Sequence, residues 1–485
     1  MAREINDLRG FIQRLDEEGL LAKVKAEVDW KYELGGIALK ALGPPVRKAL
    51  LFENIKDYGT PLFTNGLLTV KELAIGLGFD PDIDEASLVR QTAQRLERPI
   101  KPTLVKTGPC KENKLFGKDV DVLKFPIPWW TEKDGGRYLG TWHQVIAKDP
   151  DSDWTNVGTY RMMVHEADLV GVHFGSFQHI ALILNKYRKL GKPMPVAISI
   201  GTEPACMLVA ITPIAAGVSE WDLAGALRQR SLEVVKGETV DLDIPANAEI
   251  VLEGELSLDE TRLEGPFGEH TGFYGGGKRP VPVAKINCIT HRNNPIFRGS
   301  VLGKPITEDH RCLSLTLAAQ ALAMYKSTGF PGVTAVHCPA GGDPDFCAIV
   351  SLQKSYASQG LDAGRMLLSA KGGKLIKHVI ITEDDINVFD LNEVLWAINT
   401  RMQASRQVHI TRNEVGSRVD PSVPFDWLGL TDKMIMDATW QNTPDFRPRP
   451  EWDNAVHPPE VRMSDELAKL VEKRWLEYGI DKAIR

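Results

Sequence analysis

Two glutamates, Glu264 and Glu269, stand five residues apart in Leu-Glu-Gly-Pro-Phe-Gly-Glu-His, with glycines and a proline between them. On a strand an odd spacing sends side chains to opposite faces. In a glycine-proline loop the two carboxyls can converge. Close carboxylates push their pKa values apart, which leaves one able to hold a proton near neutral pH. Far upstream, Arg161 offers a planar fork that can grip a carboxylate bidentately. A carboxylate clamp beside a proton-bearing glutamic acid is what removal of CO2 asks of side chains around an electron sink. The same residues also fit a loop with two solvated glutamates.

A second set begins in Asn-Val-Gly-Thr-Tyr-Arg. Asn156, His179 and Glu220 offer oxygen, nitrogen and oxygen donors. That mixture suits Mn2+ or Mg2+ better than a thiolate-seeking metal. Their spacing matches no short signature such as His-Glu-x-x-His, and each also reads as a loop or surface residue. The electron sink is not among the side chains, because none delocalises the carbanion left on an sp2 carbon. A cofactor must carry that step. The chain has neither a G-x-G-x-x-G after a strand nor a G-x-x-x-x-G-K-[ST], and Gly275 to Lys278 resembles a phosphate loop only superficially. Lys371, in Ser-Ala-Lys-Gly-Gly-Lys, reads either as a phosphate contact or as a solvated lysine.

The elements that must position these groups fall into three stretches. Up to about residue 115 the pattern is a small α/β unit. It opens with a helix whose Leu8, Phe11, Ile12 and Leu15 follow helical spacing, with Asn6 as the expected cap and Gly19 as the stop. From about 118 to 310 strands dominate, with Ile250 to Leu256 alternating and a period-two run starting at Val281 and Val283. Between them, residues 263–280 are glycine-rich and predict a loop. From about 311 to 450 helices and strands alternate: helices over 312–325 and 361–370, strands over 346–352 and 376–381, and a helix from Asp390. For that last helix Asp390 and Glu393 predict a capping box, and Leu391, Val394, Leu395, Ile398 and Met402 an apolar face. Residues 440–459 predict an extended segment. A last helix from Ser464 shows a stripe of Leu467, Leu470, Val471 and Leu476, suited to docking on a domain or subunit.

At 485 residues the chain exceeds one ordinary domain, and 43% hydrophobic with 25% charged residues is an ordinary globular balance. A net charge of −6 offers no phosphate-tracking surface, which argues against nucleic acid. No apolar run is long enough to cross a bilayer, and the N-terminus lacks a secretion signal's apolar core, so the expected location is cytoplasmic. The six cysteines form no CxxC pair and read as buried thiols.

Taken together, Trp-Thr-Asn-Val-Gly-Thr-Tyr-Arg (154–161), Phe-Gln-His-Ile (177–180), the stretches 213–222, 251–274 and 384–401, and Arg-Trp-Leu-Glu-Tyr-Gly-Ile (474–480) resemble the UbiD family of decarboxylases over most of the chain. The resemblance implies an α/β (α+β) fold with four parts. These are an N-terminal α/β segment (1–117), a split β-barrel that binds flavin and metal (118–310), a C-terminal α/β oligomerisation domain (311–450), and an extension with a helix (451–485). It implies prenylated FMN as cofactor, made by a separate flavin prenyltransferase, with an azomethine-ylide character that supplies the sink. By position, Asn156, His179 and Glu220 match the ligands of a divalent metal, usually Mn2+, that bridges to the cofactor phosphate, with an alkali ion such as K+ nearby. Arg161, Glu264 and Glu269 match the catalytic network. Glu264 matches the acid that passes a proton to the carbon losing CO2, and Arg161 and Glu269 hold and tune it. Thr159, Tyr160, Gln178, Pro213 and Lys371 fall in the cofactor's shell.

The overall character is closest to the hydroxyarene and phenylphosphate carboxylase branch. The expected function is reversible decarboxylation of an aromatic, hydroxylated acid. The alternatives are a carboxylating subunit of a hetero-oligomeric complex and a flavin-binding protein without activity. A dimer or hexamer is implied. Lys304, His310, Arg311 and the stretch around Arg418 are candidates for holding a phenol, although exposure habits make His310 a surface residue. If Glu264 must be protonated in one step and ionised in another, the rate is expected to be bell-shaped in pH.

Overall fold

The computed structural model describes residues 5–427, 429–441 and 446–479. The first helix, Leu8–Glu17, buries Leu8, Phe11, Ile12 and Leu15. Asp7, not Asn6, is its cap, because the Asp7 carboxylate reaches the Gly10 N–H at 2.8 Å. Gly19 follows at a φ of +68°, which ends the helix in the left-handed region. A small four-stranded sheet runs Leu21–Val24, Ala49–Phe52, Leu62–Thr64, and then Phe297–Arg298 from far along the chain.

The central sheet carries the site. Its strands in chain order are β1 (Asn113–Phe116), β2 (Tyr138–Gly140), β3 (His143–Lys148), β4 (Thr155–Gly158), β5 (Met162–Glu166), β6 (Leu169–Val172), β7 (Met194–Ile200), β8 (Ile250–Glu264) and β9 (Arg279–His291). They order as β2-β5-β6-β9-β8-β7-β3-β4, with β1 also paired to β9, and curl into a half-barrel. The alternation at 250–256 does not mark a half-buried strand. Residues Ile250 to Gly254 are all buried, and only Glu255 faces solvent. Glu253 tolerates this because it accepts hydrogen bonds from the Glu238 and Thr239 N–H groups and the Thr239 hydroxyl. β8 and β9 are paired along most of their length and joined by the predicted glycine-rich loop.

In the C-terminal part, the helix Glu308–Ser327 starts earlier than its apolar pattern does, because Thr307 caps it. A five-stranded sheet orders as Val333–His337, Cys347–Leu352, His378–Glu383, Leu430–Asp437 and Val408–Val415. At the helix Leu391–Arg401 the capping box is absent. Asp390 accepts from Asn392 N, while Glu393 bonds the Asn387 N–H instead. Of its expected apolar face only Val394 is buried outright, and Leu391 and Leu395 are exposed. Residues 5–439 fall in one compact unit. Residues 440–479 belong to a second, in which Ser464 caps the helix Asp465–Arg474 and Leu467, Leu470 and Leu476 are exposed. Residues 442–445 of the expected extended segment, and Ile480, lie outside the described residues. Among the described residues no helix is long and apolar enough to cross a membrane. Five cysteines are buried and Cys347 is partly so.

Candidate active site

Arg161 occupies the link between β4 and β5, Glu264 ends β8, and Glu269 lies in the following loop. Gly265 turns the chain at a φ of +94°, open to glycine at little cost. A side chain at Gly275 would place its Cβ 2.7 Å from Glu269 Cγ, so the returning limb of the loop packs directly on that glutamate. The two carboxyls therefore converge on one guanidinium. Arg161 donates from Nε and Nη2 to Glu264 Oε1 and Oε2 at 2.9 and 2.8 Å, and from Nη1 to Glu269 Oε1. Glu264 is fully buried at 0% exposure. Burial opposes its charge. The neighbouring His173 imidazole, hydrogen bonds from Arg161, the Arg161 charge and a bond from Tyr138 overcome that, and the carboxyl is held down at about 2. Of the two carboxyls, Glu264 is therefore not the one that keeps a proton near neutrality here. In this arrangement Glu264 is an anion, because these partners together outweigh its burial.

Two members of this network were not legible in the sequence. Tyr138 donates to Glu264 Oε1 at 2.6 Å, and burial followed by the Glu264 charge pushes its phenol up, so it stays a donor. His173 Nδ1 stands 3.2 Å from Glu264 Oε2. Neither belongs to a motif. Their only signal was a position near glycines, in Gly-Gly-Arg-Tyr and Val-His-Phe-Gly.

The second cluster forms where β4 meets two helix N-termini. Asn156 lies on β4, His179 opens the helix His179–Leu190, and Glu220 opens the helix Glu220–Arg228. Asn156 Nδ2 donates to Glu220 Oε1 at 3.0 Å, and Tyr160 Oη donates to Asn156 Oδ1 at 2.9 Å. Glu220 is 3% exposed, and its Oε2 has no hydrogen-bond partner. Burial raises this carboxyl to about 7 against the hydrogen bonds it accepts. Burial and then the Lys371 charge lower His179 to about 4, which leaves the imidazole neutral with a lone pair. Lys371 Nζ donates to His179 Nε2 and to the Ile214 carbonyl, and burial lowers it to about 8. An orphaned carboxylate oxygen, a neutral imidazole and an amide oxygen fit a hard divalent cation.

The remaining candidates occupy distinct places. Pro213 and Lys371 line a cavity of about 390 Å³, with Ile214, Gln320, Met324 and Ile376 among its other walls. Arg161, Glu264 and Glu269 are not among its lining residues. Thr159 Oγ1 donates to the His143 carbonyl at 2.9 Å. The Gln178 side chain turns back to accept from Gly175 N at 2.6 Å. His310, expected at the surface, is fully buried, and Arg311 is engaged with Glu85 at 2.9 Å. Lys304 packs its backbone against Gly272 in the glycine-rich loop, and the Arg418 side chain packs on Gly429.

Models of one family cover most of the chain. The N-terminal, Rift-related and C-terminal domains of 3-octaprenyl-4-hydroxybenzoate carboxy-lyase match residues 12–96, 103–305 and 310–438. A pyrrole-2-carboxylic acid decarboxylase of Pseudomonas aeruginosa is 31% identical over 100% of both chains. The closed form of vanillic acid decarboxylase from Sedimentibacter hydroxybenzoicus superposes with a TM-score of 0.90 at 32% identity, covering 99% of this chain and 100% of that one. An evolved dimeric form of the UbiD-class enzyme HmfF from Pelotomaculum thermopropionicum, in complex with prFMN, gives a TM-score of 0.78 at 31% identity over 90% and 96% of the two chains. The chain belongs to the UbiD family and is a carboxy-lyase.

Proposed function

We infer that this chain removes CO2 reversibly from an aromatic, hydroxylated carboxylic acid with prenylated FMN as cofactor. The reading rests on one observation: a buried arginine holds Glu264 and Glu269 at once, with Glu264 ionised. It is supported by the decarboxylase relatives and by prFMN in the HmfF complex. When bound, prenylated FMN supplies the electron sink that no side chain provides. Asn156, His179 and Glu220 would hold Mn2+ or Mg2+ toward its phosphate, with K+ as a further ion. Thr159, Tyr160, Gln178, Pro213 and Lys371 would complete its shell.

The protein's own part follows from the clamp. A substrate carboxylate competes with Glu264 for the Arg161 fork. A Glu264 that loses this partner stays buried, and burial then raises its pKa, so it can take up a proton. Tyr138 Oη keeps its bond to Glu264 Oε1 and orients the carboxyl. When CO2 leaves, the C–C bonding pair stays with the ring carbon, and the Glu264 proton fills that position. Glu264 is then an anion again and Arg161 closes on it. In the carboxylating direction Glu264 takes the proton as CO2 adds.

The test is co-expression with a flavin prenyltransferase, mass analysis of the released cofactor, and turnover of hydroxylated aromatic acids. Prenylated FMN should be released, and Glu264→Gln should lower turnover by about a hundredfold or more. Unchanged turnover in Glu264→Gln, or a folded chain that binds no flavin, overturns the reading.

A further inference from the structure

One other group of ligating side chains is drawn from three separate segments. His270 follows Glu269 in the glycine-rich loop, His310 sits in the first turn of the helix Glu308–Ser327, and Asp343 precedes the strand Cys347–Leu352. One ligating atom from each lies within 4.8 Å of the other two. His270 Nδ1 is 3.1 Å from Asp343 Oδ2. Two ligands of one ion with bonds of about 2.1 Å stand about 3.0–3.4 Å apart in octahedral or tetrahedral geometry, so this pair has the spacing of adjacent ligands.

The His310 imidazole is also backed on its far side. His310 Nδ1 is 2.6 Å from Thr307 Oγ1, and that hydroxyl is in turn in short contact with Asp309 Oδ1. The Thr307 N–H also donates to Nδ1, at 3.2 Å, so this edge of the ring is held from two sides. Nε2 has no hydrogen-bond partner, and His310 is 0% exposed. His270 Nε2 lies 4.0 Å from Asp345 Oδ2. A polar partner behind the ring, as Thr307 is behind His310, is how metal-binding histidines are usually oriented. A plain ion pair between His270 and Asp343 accounts for one contact. It leaves the buried, unpartnered His310 Nε2 without an explanation.

We propose that His270, His310 and Asp343 form a second divalent-metal site, separate from Asn156, His179 and Glu220, that takes a first-row transition ion such as Zn2+ or Co2+. Two imidazoles and one carboxylate favour such an ion over Mg2+ or Ca2+ and leave coordination positions open. An ion there ties the loop that carries Glu269 to residues 307–310 and 343–345. The proposal does not depend on the cofactor.

The experiment strips the full-length chain with a chelator and titrates it with Co2+, following visible absorption and the number of ions bound. Two Co2+ should bind per chain. Asp343→Asn and His310→Gln should each remove one, and Glu220→Gln should remove the other. Thr307→Val, which takes away the backing and keeps the ligands, should weaken the site by about tenfold. Circular dichroism identifies any variant that fails to fold, and the Asp343 and His310 variants serve as mutual controls. If folded Asp343→Asn and His310→Gln bind Co2+ as the parent does, the proposal is wrong. It is equally wrong if the parent binds no ion, or a single ion lost with Glu220→Gln alone. A single ion lost with Asp343→Asn but kept in Glu220→Gln upholds this site and removes the metal role of Glu220.

Discussion

Glu264 and Glu220 are both buried glutamates, exposed by 0% and 3%, yet their protons are held in opposite ways. Burial works against the charge of each. At Glu264 a guanidinium, a phenol and an imidazole answer it, and the carboxyl falls to about 2. At Glu220 an amide and backbone N–H groups answer it less strongly, one oxygen stays without a partner, and the carboxyl rises to about 7. The first cluster finds its hydrogen-bond partners within the chain. The second keeps a carboxylate oxygen without a hydrogen-bond partner, since Lys371 engages His179 and a carbonyl rather than Glu220.

Removing the answering charge breaks the contrast most strongly. Arg161→Gln should leave two buried carboxylates unpaired and cost about 3–5 kcal/mol at pH 7 by urea unfolding, together with nearly all turnover. A loss under about 1 kcal/mol would show that the guanidinium does not govern Glu264.

The next test is the pH dependence of stability. Glu264 has a depressed folded pKa, so its contribution is present above about 4.5 and lost as pH falls toward about 2. Glu220 has a raised one. In the metal-free protein its contribution is full below about 4.5 and lost as pH rises through about 7, a swing of about 3 kcal/mol. Glu220→Gln should flatten the stability curve between pH 5 and 8, and Mn2+ should stabilise the parent most above pH 7. If the parent curve is already flat there, Glu220 is not raised.

The smallest expected effect belongs to Tyr138→Phe, which deletes the 2.6 Å bond to Glu264. It should cost about 1.5–3 kcal/mol, as for a hydrogen bond to a charged group. It should also move the acidic limb of the pH–rate profile upward. An unmoved limb would mean that Tyr138 only packs.

The sequence by itself determined the local elements. Helical spacing at Leu8 to Leu15 and the glycine-rich loop between β8 and β9 follow from side-chain periodicity and from glycine's freedom, which are properties of neighbouring residues. Resemblance carried the identity of Arg161, Glu264 and Glu269, because each lies in a short continuous segment, 154–161 or 251–274, that can be matched by itself. Where side chains from distant segments decide the outcome, the sequence misled. It favoured the surface for His310, and it could not say which of Glu264 and Glu269 is ionised. Only the tertiary structure brought Tyr138 and His173 to Glu264, and Lys371 to His179. Those contacts join residues far apart in the chain, and a buried group's protonation depends on the charges that reach it across that distance.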